Sequence, residues 1–132
     1  MQGDGLPREP AKYEMKGHRS KITKIVVHPH YNIVATASED ASIRLWDFEQ
    51  GELERTLKSH AGMVTFLAFN SGGNVLASCA TDLVIKLWNL ETFTVMKTLQ
   101  GHEHEVSGIA FIPDSDYLLS CSRDQSIRFW DT

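Results

Sequence analysis

Cysteine is scarce: Cys79 and Cys121 are the only two in 132 residues. They form neither a CxxC pair nor a disulfide framework, and both read as small buried apolar residues. A basic block is also missing. The 13 lysines and arginines are interspersed with 17 acidic residues, for a net charge of −4, so no basic block is there to lie along a phosphate backbone and nucleic acid is not expected as a partner. No apolar run approaches the roughly 20 residues of a membrane span, and the opening MQGDGLPREP lacks the apolar core of a signal peptide. Membrane insertion and secretion are therefore not expected, and the predicted location is cytoplasmic. Helical periodicity is not sustained over three turns anywhere. An apolar fraction of 42% and a charged fraction of 23% are those of a soluble, folded chain.

What is present is a repeat. His18, His60 and His102 are spaced 42 residues apart, as are Asp40, Asp82 and Asp124, and Trp46, Trp88 and Trp130. Aligning residues 17–47 with 101–131 gives eleven identities in 31 positions, without an insertion. Within the first unit, the runs ITKIVVH, IVATAS, SIRLWD and ELERTLK are rich in β-branched residues. Turn residues separate them, and Pro29, Gly51, Gly72 and Gly73 fall only in those gaps. The prediction is an all-β fold of four-stranded antiparallel sheets, one per unit.

A 42-residue period with Gly17-His18 and Trp46-Asp47, a degenerate Ser59-His60 and Trp88-Asn89, then Gly101-His102 and Trp130-Asp131, resembles a WD-repeat β-propeller. The resemblance implies a hydrogen-bonded tetrad in each blade. Its members would be His18, Ser38, Asp40 and Trp46 in the first blade, and His102, Ser122, Asp124 and Trp130 in the third. The middle blade keeps His60, Asp82 and Trp88, but Ala80 stands in the serine's place, which predicts the weakest blade of the three. Serine, histidine and aspartate also make up hydrolase triads. A catalytic triad occurs once per site, however, and this set occurs once per blade, so no enzymatic activity and no cofactor are expected. His28, Pro29 and His30, and His102 with His104, read as turn and tetrad residues rather than metal ligands.

The predicted layout is a flexible segment over 1–11, an orphan outer strand over 12–16, repeats over 17–58 and 59–100, and an incomplete third repeat over 101–132 lacking its outer strand. Three blades are fewer than the four to eight of a closed ring. The expected resolutions are self-association by strand exchange, a partner covering the ends, or a longer protein of which this is a piece.

Beyond the general signature, KYEMKGHRSKIT, TASEDASIRLWD, GELERTLKSH, VLASCATDLVIKLWN and GHEHEVSGIAF resemble the first three blades of the lissencephaly family, also called nuclear distribution proteins. That resemblance implies a non-catalytic scaffold that binds the cytoplasmic dynein motor or its regulators and serves microtubule-based nuclear positioning at the cytoskeleton or centrosome. In animals it also implies the non-catalytic subunit of a platelet-activating-factor acetylhydrolase. Lys21 departs from the family pattern, which usually has a proline there. The alternative is a WD-repeat adaptor of another pathway, such as a ubiquitin-ligase substrate receptor. A protein partner would meet the top face, where loops expose Lys21, Glu39, Met63, Thr81, Glu105 and Arg123. Arg123 is the first choice, because arginine combines charge with packing area.

Overall fold

Strands form where β-branched and small residues alternate, and they break at the turn residues. A computed structural model describes residues 14–132 and places eleven strands among them, with no helix. The first sheet holds β1 (Ile22–Val27), β2 (Ile33–Ser38), β3 (Ser42–Asp47) and β4 (Glu52–Lys58). The second holds β5 (Val64–Phe69), β6 (Val75–Ala80), β7 (Ile85–Asn89) and β8 (Thr94–Leu99). The third holds β9 (Val106–Phe111), β10 (Tyr117–Ser122) and β11 (Ile127–Asp131). Each sheet is an antiparallel meander in chain order, so each is a propeller blade and the third has three strands.

Of the outer strand expected over 12–16, Lys12 and Tyr13 lie outside the described residues, as does the flexible segment over 1–11. Glu14, Met15 and Lys16 are described and carry no strand. A strand exists only against a neighbour that takes its hydrogen bonds, and these residues pair with none of the three sheets.

Burial follows the position of a strand within its blade. β2 and β6 are buried along nearly their whole length, whereas β4 is exposed at all but one residue. Two apolar layers hold the blades together. Ala35, Ala37, Ile43 and Leu45 of the first blade meet Val64, Leu67 and Leu76 of the second. Ala77, Cys79, Ile85 and Leu87 of the second meet Val106, Ile109 and Leu118 of the third. The two layers are one interface used twice, displaced by 42 residues.

Each innermost strand carries a β-bulge at the same repeat position. The register shifts between Ile22 and Lys24, between Val64 and Phe66, and in the third blade between Cys121 and Ser122, opposite Gly108 and Val106. The extra residue is Thr23, Thr65 or Ser107, and each hydroxyl donates to a backbone carbonyl: that of Val64, Cys79 or Cys121. A bulge disrupts the ladder locally, and a short hydroxyl side chain satisfies part of what it leaves open.

Candidate functional site

The repeated polar residues converge inside each blade. In the first, the Trp46 indole N–H donates to Thr36 Oγ1 at 2.8 Å, His18 Nε2 lies 2.6 Å from the same oxygen, and His18 Nδ1 faces Asp40 at 3.3 Å. In the second, Trp88 and His60 meet on Ser78 Oγ at 2.9 and 2.7 Å, and His60 Nδ1 lies 2.9 Å from Asp82. In the third, Trp130 and His102 meet on Ser120 Oγ at 2.8 and 2.7 Å, and His102 Nδ1 lies 2.8 Å from Asp124.

Proton counting orders these chains. The indole N–H occupies a lone pair of the hydroxyl, whose own proton goes to Nε2, and that leaves Nδ1–H for the carboxylate. Each imidazole thereby has a partner at both nitrogens. Burial pushes His60 below its ordinary value, more than its contact with Asp82 restores. Burial raises Asp82, but hydrogen bonds from His60 and the Ala61 amide outweigh it and leave the carboxyl below the usual range. Asp124 is held low first by the Ser126 hydroxyl, against burial, with help from His102 and the Glu103 and Ser126 amides. Asp40 is also held low: burial opposes this but is outweighed by the Ser42 hydroxyl, the Arg19 and Ser42 amides, and His18.

The tetrad hydroxyl is therefore not the one expected. Ser38 and Ser122 lie two residues further along the strand. Their hydroxyls donate instead to the carbonyls of Lys21 and Glu105, and accept from the Asp40 and Asp124 amides. Register explains the difference. Trp46 pairs with Val34, so its indole reaches the diagonal neighbour Thr36, whereas Ser38 is four residues from Val34, about 13 Å along a strand. Ser78 completes the tetrad of the middle blade, and what Ala80 lacks is the pair of loop hydrogen bonds that Ser38 and Ser122 make in the other two. The sequence carried the signal, because 36, 78 and 120 is the series that keeps a hydroxyl in all three blades, while 38, 80 and 122 does not.

The buried reading of the two cysteines also divides. Cys79 lies inside the second layer, but Cys121, its counterpart 42 residues on, is exposed on the outward face of the third blade. Both are free thiols. His28 and His30 sit in the β1–β2 turn and reach the next blade, at the Gly73 and Ser71 carbonyls, 2.8 Å each.

The six top-face positions fall into three pairs. The Glu39 amide donates to the Lys21 carbonyl at 3.0 Å, the Thr81 amide to Met63 at 2.9 Å, and the Arg123 amide to Glu105 at 3.1 Å. Lys21, Glu39, Met63 and Arg123 are exposed, and Thr81 and Glu105 are half-buried. The turn aspartates brace the same loops, since Asp40, Asp82 and Asp124 accept from the Arg19, Ala61 and Glu103 amides. Each pair thus stands on a hydrogen-bonded frame that continues inward to the tetrad. His104, Glu105 and Arg123 line a polar recess at the third pair.

The model of the WD domain, G-beta repeat, matches residues 10–47, 51–89 and 93–131. Lissencephaly-1 homolog of Schistosoma mansoni is 59% identical over 51 residues, 39% of this chain and 12% of that protein. Nuclear distribution protein PAC1 of Coprinopsis cinerea is 54% identical over 56 residues, 42% of this chain and 13% of that protein. The matched stretch is thus about an eighth of the length of these relatives. Among solved structures, that of U3-55K superimposes with a TM-score of 0.86 at 31% identity, covering 89% of this chain and 38% of the other. The crystal structure of the RRP9 WD40 repeats gives the same score and identity over 89% and 37%. With three repeat matches spanning most of its length, on blades that each close a histidine–hydroxyl–tryptophan tetrad, the chain belongs to the WD-repeat family and resembles its lissencephaly branch.

Proposed function

We propose that this chain is a non-catalytic interaction scaffold of the lissencephaly type, whose top face binds the cytoplasmic dynein motor or its regulators. The observation that supports it most is the 54–59% identity to lissencephaly and nuclear distribution proteins. The geometry is compatible with a scaffold and poor for hydrolysis. Thr36, Ser78 and Ser120, the hydroxyls that join histidine to tryptophan, are buried and spent on those two partners, and Ser42 and Ser126, 3.3 Å from the Nδ1 of His18 and His102, donate to Asp40 and Asp124. On this reading Lys21, Glu39, Met63, Thr81, Glu105 and Arg123 make the contact, with Arg123 at its centre, and the protein works in the cytoplasm on microtubule-associated dynein.

The test is binding of purified dynein motor domain to the chain and to Arg123→Glu, by interferometry at fixed salt. The expected result is saturable binding that the substitution weakens by about tenfold or more, a loss of about 1.4 kcal/mol. No binding by the unsubstituted chain overturns the dynein reading. The likeness to U3-55K and RRP9 at 31% identity supports a second reading, a WD-repeat adaptor of another pathway.

A further inference from the structure

The top of the middle blade differs from its neighbours in charge and in how its loop is seated. The loop after each tetrad histidine carries Arg19 and Lys21 in the first blade, Ala61 and Met63 in the second, and Glu103 and Glu105 in the third, so it is basic, apolar and acidic in turn. Glu39 and Arg123, bonded through their amides to Lys21 and Glu105, have the sign opposite to their loops, and Thr81 of the middle blade is uncharged. Two cations against one anion leave the first blade positive, and two anions against one cation leave the third negative. Gly62 lets the middle loop lie directly on its turn: a Cβ there would collide with Thr81 Oγ1, which already accepts from the Met63 amide at 3.1 Å. Two apolar side chains on that frame are exposed, Met63 at 42% and Leu83 at 36%. Leu83 is also held at a φ of 71°, a left-handed backbone in which a bulky side chain is rarely found. Strain spent on an exposed apolar side chain points to a contact with something outside the chain.

Resting on the top-face reading above, we infer that Met63 and Leu83 form an apolar anchor beside the Arg123 contact, and that they receive an extended segment of the partner. That segment places an apolar side chain over the middle blade, acidic residues toward Arg19 and Lys21, and basic residues toward Glu103 and Glu105. Arg123 is left for an acidic group elsewhere on the partner. Stacked sheets lie about 10 Å apart, so the three loops span about 20 Å, which about six extended residues cover at ~3.3 Å each. The apolar contact supplies affinity, because burying Met63 and Leu83 removes apolar surface from water. The flanking charges fix the register, because a segment shifted by one blade would set like charges against each other.

Fluorescence anisotropy with dye-labelled synthetic peptides tests it. The probe is Glu-Glu-Gly-Leu-Phe-Leu-Gly-Lys-Lys, and its control, Glu-Lys-Gly-Leu-Phe-Leu-Gly-Glu-Lys, has the same composition with the charges mixed. The expected result is that the probe binds about tenfold or more tighter than the control at low salt, a gap that closes as salt screens the two arms. Leu83→Asn replaces the anchor with a residue that accepts the left-handed backbone, so it should keep or raise the thermal midpoint while weakening the probe by about fivefold or more. Arg19→Glu combined with Lys21→Glu makes both flanks acidic, and should transfer the preference to the same peptide with lysines at both ends. Equal affinity for probe and control, no binding of either, or a Leu83→Asn chain that binds like the parent overturns the inference. Dynein motor domain separates this from the scaffold reading. Motor binding that Leu83→Asn leaves unchanged removes the anchor and keeps that reading, whereas probe binding without motor binding removes dynein and keeps the anchor.

Discussion

Arg128 lies across Gly101: a Cβ at that glycine would stand 2.8 Å from the guanidinium Nη1 and 3.4 Å from the Trp130 ring. The first blade repeats the arrangement, with Arg44 Nη1 3.0 Å from the Cβ position of Gly17. In the middle blade both partners change together. Lys86 replaces the arginine, Ser59 replaces the glycine, and the Lys86 ammonium donates to the Ser59 hydroxyl at 2.6 Å and its carbonyl at 2.9 Å. The residue before each histidine is thus chosen by the cation on the third strand. A planar guanidinium needs the room that only glycine leaves, and a compact ammonium tolerates a side chain and gains a hydrogen bond from it.

Gly101→Ser should therefore destabilise the chain by about 1–3 kcal/mol through overpacking. Adding Arg128→Lys should recover part of that loss, with a coupling of at least about 0.5 kcal/mol in a double-mutant cycle. Urea unfolding of the four proteins measures it. Strict additivity would show that the two positions do not sense each other.

Ser78→Ala removes the oxygen shared by His60 and Trp88 and leaves both buried partners unpaired. The expected cost is about 2–4 kcal/mol, from two orphaned groups. Ala80, two residues on, carries no hydroxyl to lose, and Ser122→Ala, near the blade edge, should cost about half as much or less. The urea midpoints of Ser78→Ala and Ser122→Ala, compared at unchanged m-value, check the order. Equal losses would return the tetrad role to the position of Ser122.

Acid should weaken the fold in two stages. His60 is held below its ordinary value, so the unfolded chain, titrating near 6.5, takes up the proton first. That contribution is fully present above about pH 6.5 and is lost as pH falls through the folded value. Asp40, Asp82 and Asp124 are held below the carboxylate range, so theirs is present above about pH 4 and is lost as pH falls further. Urea midpoints taken from pH 8 to pH 3 should be level at the alkaline end, fall below about pH 6.5, and fall again below about pH 4. A midpoint that rises on acidification would contradict the neutral-imidazole chain.

The residue after each turn aspartate has a left-handed backbone: φ is 70° at Ala41, 71° at Leu83 and 70° at Gln125. None is glycine, so each holds strain of about 1 kcal/mol. Leu83→Gly should raise the thermal midpoint, since Leu83 is exposed and its side chain contributes little packing in return. Calorimetry on the single variant reads the sign; a lowered midpoint would mean that the Leu83 side chain is worth more than the strain it imposes.

Most of this architecture was legible in the residues themselves. The 42-residue spacing of His18, Asp40 and Trp46 with their repeats carried the propeller, because identical units must bury identical faces against one another. The runs IVATAS, SIRLWD and ELERTLK coincide with β2, β3 and β4 residue for residue, since turn residues bound them on both sides. What composition and spacing could not decide was contact across strands. Thr36 and Ser38 sit on the same face of β2; the series 36, 78 and 120 points to Thr36, and the pairing of Val34 with Trp46 supplies the contact that explains it. The same holds for Cys79 and Cys121, equivalent in the repeat but buried or exposed according to whether another blade lies over them. Periodicity along a chain states which positions are alike. Register and the stacking of one sheet on the next, which join residues far apart in that chain, state what each of them touches.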